Sequence, residues 1–121
     1  MKYLCLLYGD QQKMEAMSKA EFEALAAKCR PFDEELKKSG HVVLVESLEW
    51  GATTIRTRGG RTVVTDGPYV ETKEQVGSVL IIEAKDLNEA IRVASMHPAA
   101  RLGEEGGWAV EVRPISAGCH Q

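Results

Sequence analysis

Cysteine is scarce in this chain: three among 121 residues, at Cys5, Cys29 and Cys119, an odd number with no CxxC spacing. Neither a disulfide framework nor a zinc site is indicated, and a reduced, cytoplasmic protein is the expectation. Charge of one sign is also lacking. Fifteen Lys and Arg against eighteen Asp and Glu leave a formal net charge of -3, so a phosphate backbone has no strong electrostatic reason to bind and nucleic acid is not an expected partner. No apolar run approaches the roughly 20 residues of a bilayer span, and no anchoring or export segment is recognisable. The sequence has no GxGxxG, no phosphate loop ending in GKS or GKT and no GxSxG, which leaves nucleotide and serine-hydrolase chemistry without support. With 11 Gly, 4 Pro and 44% hydrophobic residues, what remains is an ordinary globular chain of one domain's length.

The elements alternate. Tyr3, Cys5 and Leu7 fall on one face of an opening strand and Leu4, Leu6 and Tyr8 on the other, so both faces read as buried. Ser18-Lys19-Ala20-Glu21 is a capping box that starts a helix near Lys19, with Phe22, Leu25, Ala26, Cys29, Phe32 and Leu36 as its inward stripe. Pro31 inside that stripe predicts a kink or short break. A strand over His41–Trp50 follows, then a hairpin, Thr53–Arg58 and Arg61–Thr65, turning on Gly59-Gly60. After a polar loop through Gln75, the periodicity predicts a core strand over Gly77–Ala84. A second capped helix from Asp86 to about His97 follows, with Leu87, Ala90, Ile91 and Ala94 turned inward and Pro98 as its stop. A glycine-rich loop from Ala99 to Gly107 leads to a last strand, Trp108–Ile115. Residues 1–115 thus form one domain, and 116–121 read as a frayed tail.

This order predicts an α+β, ferredoxin-like βαββαβ fold with an inserted β-hairpin. Right-handed crossovers put both helices on one face of the sheet, which leaves the other face apolar and uncovered. Leaving several hundred Å² of such surface wet costs on the order of 10 kcal/mol, so a second copy is the expected cover and a dimeric α+β barrel the expected assembly.

The densest cluster of unusual residues is Thr65-Asp66-Gly67-Pro68-Tyr69-Val70-Glu71-Thr72-Lys73-Glu74-Gln75. Asp66 and Glu71 are candidates for a general base or polar anchor, Gly67 and Pro68 shape the turn, and Lys73 is a candidate anion contact. A rigid turn with solvated charges accounts for the same residues. His41, just after the first long helix, is a candidate substrate contact. His97 reads as a helix C-terminal cation, and Arg56, Arg58 and Arg61 as a solvated edge. Cys119-His120 offers only two ligands on a tail, so no metal and no cofactor is expected.

The run DGPYVETKEQVGSVLIIEAKDLNEAI, followed by HPAAR and VEVRPI and preceded by MKYLCLLYGD, resembles the DGPF-domain branch of the YCII-related family over nearly the whole chain. Tyr69 stands where that signature usually has Phe. The resemblance implies a ferredoxin-like fold paired as a dimeric α+β barrel, and a cavity in which relatives bring a His and an Asp together. One relative resembles a dehydrochlorinase of chlorinated hydroxyhydroquinones. The Asp corresponds to Asp10, and the His position falls on Cys29, a departure that puts imidazole catalysis there in doubt. Gene neighbourhoods in this branch imply an association with extracytoplasmic-function sigma factors. Three functions are carried forward: a homodimeric protein with a small-molecule pocket lined by Asp10, Cys29 and the Asp66 loop, ligand-binding or weakly enzymatic; a lyase or isomerase acting on a small hydroxylated substrate, aromatic ones included; and a sigma-factor interaction partner.

Overall fold

The computed structural model describes residues 1–118, so the cysteine and histidine of the tail lie outside the described residues. Its chain order is β1 (Lys2–Asp10), α1 (Gln11–Glu15), α2 (Lys19–Lys38), β2 (Val42–Ser47), β3 (Thr53–Arg58), β4 (Arg61–Asp66), β5 (Glu74–Glu83), α3 (Leu87–Ala94), α4 (Pro98–Arg101), α5 (Gly103–Gly106) and β6 (Ala109–Pro114). Four strands form an antiparallel sheet in the order β2-β5-β1-β6, and β3-β4 make a separate hairpin, which is the ferredoxin-like arrangement with its insertion. No helix among the described residues is long and apolar enough to cross a membrane.

The two faces of β1 separate as the alternation requires. Tyr3, Cys5 and Leu7 are buried and stand beside Ile82, Leu80 and Ser78 of β5, on the side that the helices cover. Ala90, Val93 and Ala94 of α3 and Leu36 of α2 complete that core. Leu4, Leu6 and Tyr8 point the other way with Val79 and Ile81, and all five remain only partly covered.

Several local expectations are corrected. α2 starts at the Ser18 box, with the Ser18 and Glu21 side chains each accepting the other's amide at 3.1 Å, but it runs unbroken through Pro31. Anchors flank the proline and offset the hydrogen bond it removes: Leu25 and Leu36 are buried, and Arg101 lies over the Phe32 ring at 5.5 Å. The polar connection after β1 is a short helix, α1, because Asp10 caps it by accepting from the Gln12 and Lys13 amides at 3.0 and 3.3 Å. In α3 the inward face is Ala90, Val93 and Ala94, while Leu87 and Ile91 are each 48% exposed; the two alanines let the helix backbone press close to the sheet. Pro98 does not merely stop α3. It occupies the first turn of α4, where its missing amide costs nothing, and the stretch expected as a glycine-rich loop is α4 and α5. β5 begins at Glu74, three residues before the expected start. Gly77 is a bulge, skipped between the pairs Leu7–Ser78 and Tyr8–Val76, and it separates two patterns that alternate out of phase.

Candidate functional site

β2 ends at Ser47 rather than Trp50. The Leu48 amide still donates to the bulge carbonyl of Gly77 at 2.9 Å, after which the chain leaves the sheet for the hairpin. Trp50 turns back onto the sheet at the one place where two strands lack side chains. A β-carbon on Gly9 or on Gly77 would sit 3.4 Å from Trp50 Cη2, and one on Gly9 would sit 3.3 Å from Trp108 Cδ1. Both indoles thus rest against β1 at Gly9. Trp108 is held from behind by α5, where a β-carbon on Gly106 would meet the indole at 2.4 Å, a position only glycine can fill.

Beneath the two indoles, between α2 and the sheet, lies a cavity of about 420 Å³. Leu7, Val45, Ser47, Ser78 and Leu80 line its floor, Cys29, Asp33 and Lys37 of α2 its roof, and His97, Pro98 and Ala99 its far wall. Cys29 and Asp33, four residues apart on α2, share one face by helical geometry. Burial and the nearby Asp33 and Glu105 carboxylates push the Cys29 thiol up, so Cys29 faces the cavity as a protonated thiol and not as a thiolate. Burial also raises Asp33, against a smaller opposing pull from Lys37.

His97 departs most from its sequence reading. It is not a cation at a helix C-terminus but the N-cap of α4, its Nδ1 accepting the Ala99 amide at 2.9 Å. That bond fixes the tautomer, since Nδ1 must present a lone pair and Nε2 must carry the proton. Burial depresses the ring to about 4, so it is neutral at physiological pH. A neutral imidazole locked in this way is a hydrogen-bond donor and a poor base.

The remaining sequence candidates gather elsewhere. Asp10, Pro68, Glu71 and Lys73 border a second cavity of about 390 Å³ with Gln11, Gln12, Thr72 and Gln75, and Trp50 belongs to both cavities. Asp10 is 8% exposed; beyond its capping bonds, its Oδ2 stands 3.7 Å from Lys73 Nζ. Asp10 and Cys29 therefore line different chambers. Gly67 takes φ +103° and donates its amide to the Ala52 carbonyl at 2.7 Å, while the Thr54 hydroxyl donates to the Gly67 carbonyl, so this turn ties the base of the hairpin together. Asp66, the last residue of β4, borders neither cavity. Nor does His41, whose Nδ1 lies 2.8 Å from the Glu83 carbonyl and 4.0 Å from Glu89. Among the described residues no three His, Cys, Asp or Glu side chains are placed to hold a metal. Asp33 and the two tryptophans went unselected in the sequence. Their signals were the helical i, i+4 spacing of Cys29 and Asp33, and the absence of a side chain at Gly9 and Gly77 within strands.

Sheet order and the helix side of the sheet define an α+β protein of ferredoxin-like topology with a cavity between α2 and the sheet. The chain belongs to the YCII-related family: the family's domain model matches residues 1–116. An uncharacterized protein, R00369, of Rhizobium meliloti (strain 1021) is 33% identical over 118 residues, which cover 96% of this chain and 93% of that protein. Among solved structures, 5-chloro-2-hydroxyhydroquinone dehydrochlorinase (TftG) of Burkholderia phenoliruptrix AC1100, in complex with 2,5-dihydroxybenzoquinone, shares the fold. Its TM-score is 0.51 at 18% identity, covering 100% of this chain and 99% of that one.

Proposed function

We propose that the chamber beneath Trp50 and Trp108 binds a single-ring hydroxylated or quinoid molecule. One observation carries this reading: a neutral His97 and the Asp33 carboxyl border one largely apolar cavity between the indoles and the sheet. Indoles and aliphatic side chains favour a flat ring, and Nε2–H of His97 supplies a donor for a ring oxygen without the desolvation cost of a cation. The fold shared with a dehydrochlorinase seen with a dihydroxybenzoquinone supports the same ligand class. Titration with hydroquinone, followed by calorimetry and by the fluorescence of the two tryptophans, tests it. His97→Asn keeps an acceptor for the Ala99 amide but removes the Nε2 donor, and it should weaken binding about tenfold, the value of one hydrogen bond near 1.4 kcal/mol. Absence of saturable binding, or equal affinity in the variant, overturns the reading.

The raised Asp33 favours a second step at the same site. A carboxylate that desolvation makes more basic takes a proton from the bound ring while His97 donates to the oxygen that gains negative charge, the chemistry of an isomerase or lyase. Asp33→Asn should then retain binding and lose turnover. We further propose that two copies pair across the helix-free face. Leu4, Leu6, Tyr8, Val79 and Ile81 are only partly covered there and Leu44 is 40% exposed.

A further inference from the structure

We propose that Trp50 is the specificity-determining residue of the chamber, a removable partition that restricts the ligand to one ring. The inference rests on the ring-binding reading above and adds what limits the ligand's length. Among the described residues Trp50 alone borders both cavities, so its indole is their common wall. The spaces on its two sides, about 420 and about 390 Å³, are both open to solvent and differ in character: the second is a surface groove whose Glu71, Thr72 and Lys73 are exposed. The first is floored by Leu7, Val45 and Leu80. The second is edged by Asp10, Gln12, Glu71, Thr72, Lys73 and Gln75, which suit a hydroxyl-rich substituent and not a second apolar ring.

The wall rests on contact and carries no fold of its own. Trp50 lies outside every helix and strand, between the end of β2 and the start of β3, and its far edge touches the backbone at Gly9 and Gly77. Shortening this side chain therefore joins the chambers without removing a strand, a cap or a core residue. The joined space matches a phenolic ring carrying a sugar-like arm: the ring lies under Trp108 near His97, and the arm reaches Asp10 and Lys73.

The experiment compares hydroquinone with its glucoside, arbutin, on the wild type, Trp50→Ala and Trp50→Phe, by calorimetry with melting temperature recorded alongside. The wild type and Trp50→Phe should prefer hydroquinone by at least about tenfold, within the usual range for rejecting an ill-fitting group. In Trp50→Ala that preference should vanish or invert through a gain in arbutin affinity, and adding Asp10→Asn should cut arbutin binding while sparing hydroquinone. Trp50→Leu serves if the alanine variant melts too low to titrate. An unchanged ratio in a folded variant that still binds hydroquinone overturns the partition and leaves the ring-binding reading standing. Failure of the wild type to bind hydroquinone overturns both.

Discussion

Acidification provides a direct test of how His97 is held. The ring is depressed from an ordinary 6.5 to about 4 by burial. In the unfolded chain it takes a proton near 6.5, so between 6.5 and 4 the unfolded state binds more protons than the folded one. Stability associated with His97 is thus complete above pH 6.5 and is lost as the pH falls, levelling off below about 4. A gap of about 2.5 units at 1.36 kcal/mol each puts the full loss at roughly 3 kcal/mol, of which about 2 kcal/mol should have gone by pH 5. Asp33, in the same cavity, acts in the opposite sense: its raised carboxyl gains folded-state protonation as the pH drops. Comparison of wild type with His97→Asn cancels the groups outside the cavity, and the same comparison in an Asp33→Asn background removes Asp33 from both proteins. Urea unfolding of both at pH 7, 6 and 5 should give a stability difference that shifts by about 2 kcal/mol across that range, with the wild type the more acid-sensitive. A difference that stays constant, or a histidine proton signal that titrates near 6.5, refutes a buried neutral His97 and with it the donor assigned to the ligand.

Three further outcomes follow from the same geometry. Gly106→Ala places a methyl group 2.4 Å from the Trp108 indole, so it should displace that ring, cost about 1–3 kcal/mol and shift tryptophan emission to the red; an unaltered spectrum contradicts the packing. Asp10→Ala removes the cap of α1 and the partner of Lys73 and should cost about 1 kcal/mol, whereas Asp66→Ala, outside both cavities and exposed, should stay within about 0.5 kcal/mol; denaturant midpoints decide between them. Ile81→Glu sets a carboxylate in the helix-free face and should raise the dimer dissociation constant at least a hundredfold, about 3 kcal/mol, by sedimentation; a wild type that sediments as one chain at micromolar concentration refutes the pairing.

The elements of the fold were legible wherever periodicity and capping acted locally. The alternation of Tyr3, Cys5 and Leu7 with Leu4, Leu6 and Tyr8 assigned the two faces of β1, and the Ser18 and Asp86 caps placed two helix starts where they occur. Legibility failed where tertiary contact decides. Pro31 costs a hydrogen bond in any helix, but only the burial of Leu25 and Leu36 on either side shows why α2 continues. The site fared worse for the same reason. Asp10 and Cys29 are paired by the family resemblance, yet they border different cavities with Trp50 between, and nothing local to either residue predicts that. His97-Pro98 reads as a helix end because proline stops helices. It is in fact a helix beginning, since proline also fits a first turn; the imidazole takes the capping role, and burial keeps the ring neutral. Glycine was the informative residue. Gly9 and Gly77 sit in strands with no turn to make and Gly106 closes α5, and each leaves room for an indole, so the cavity's walls are recorded in the sequence by the side chains that are missing opposite them.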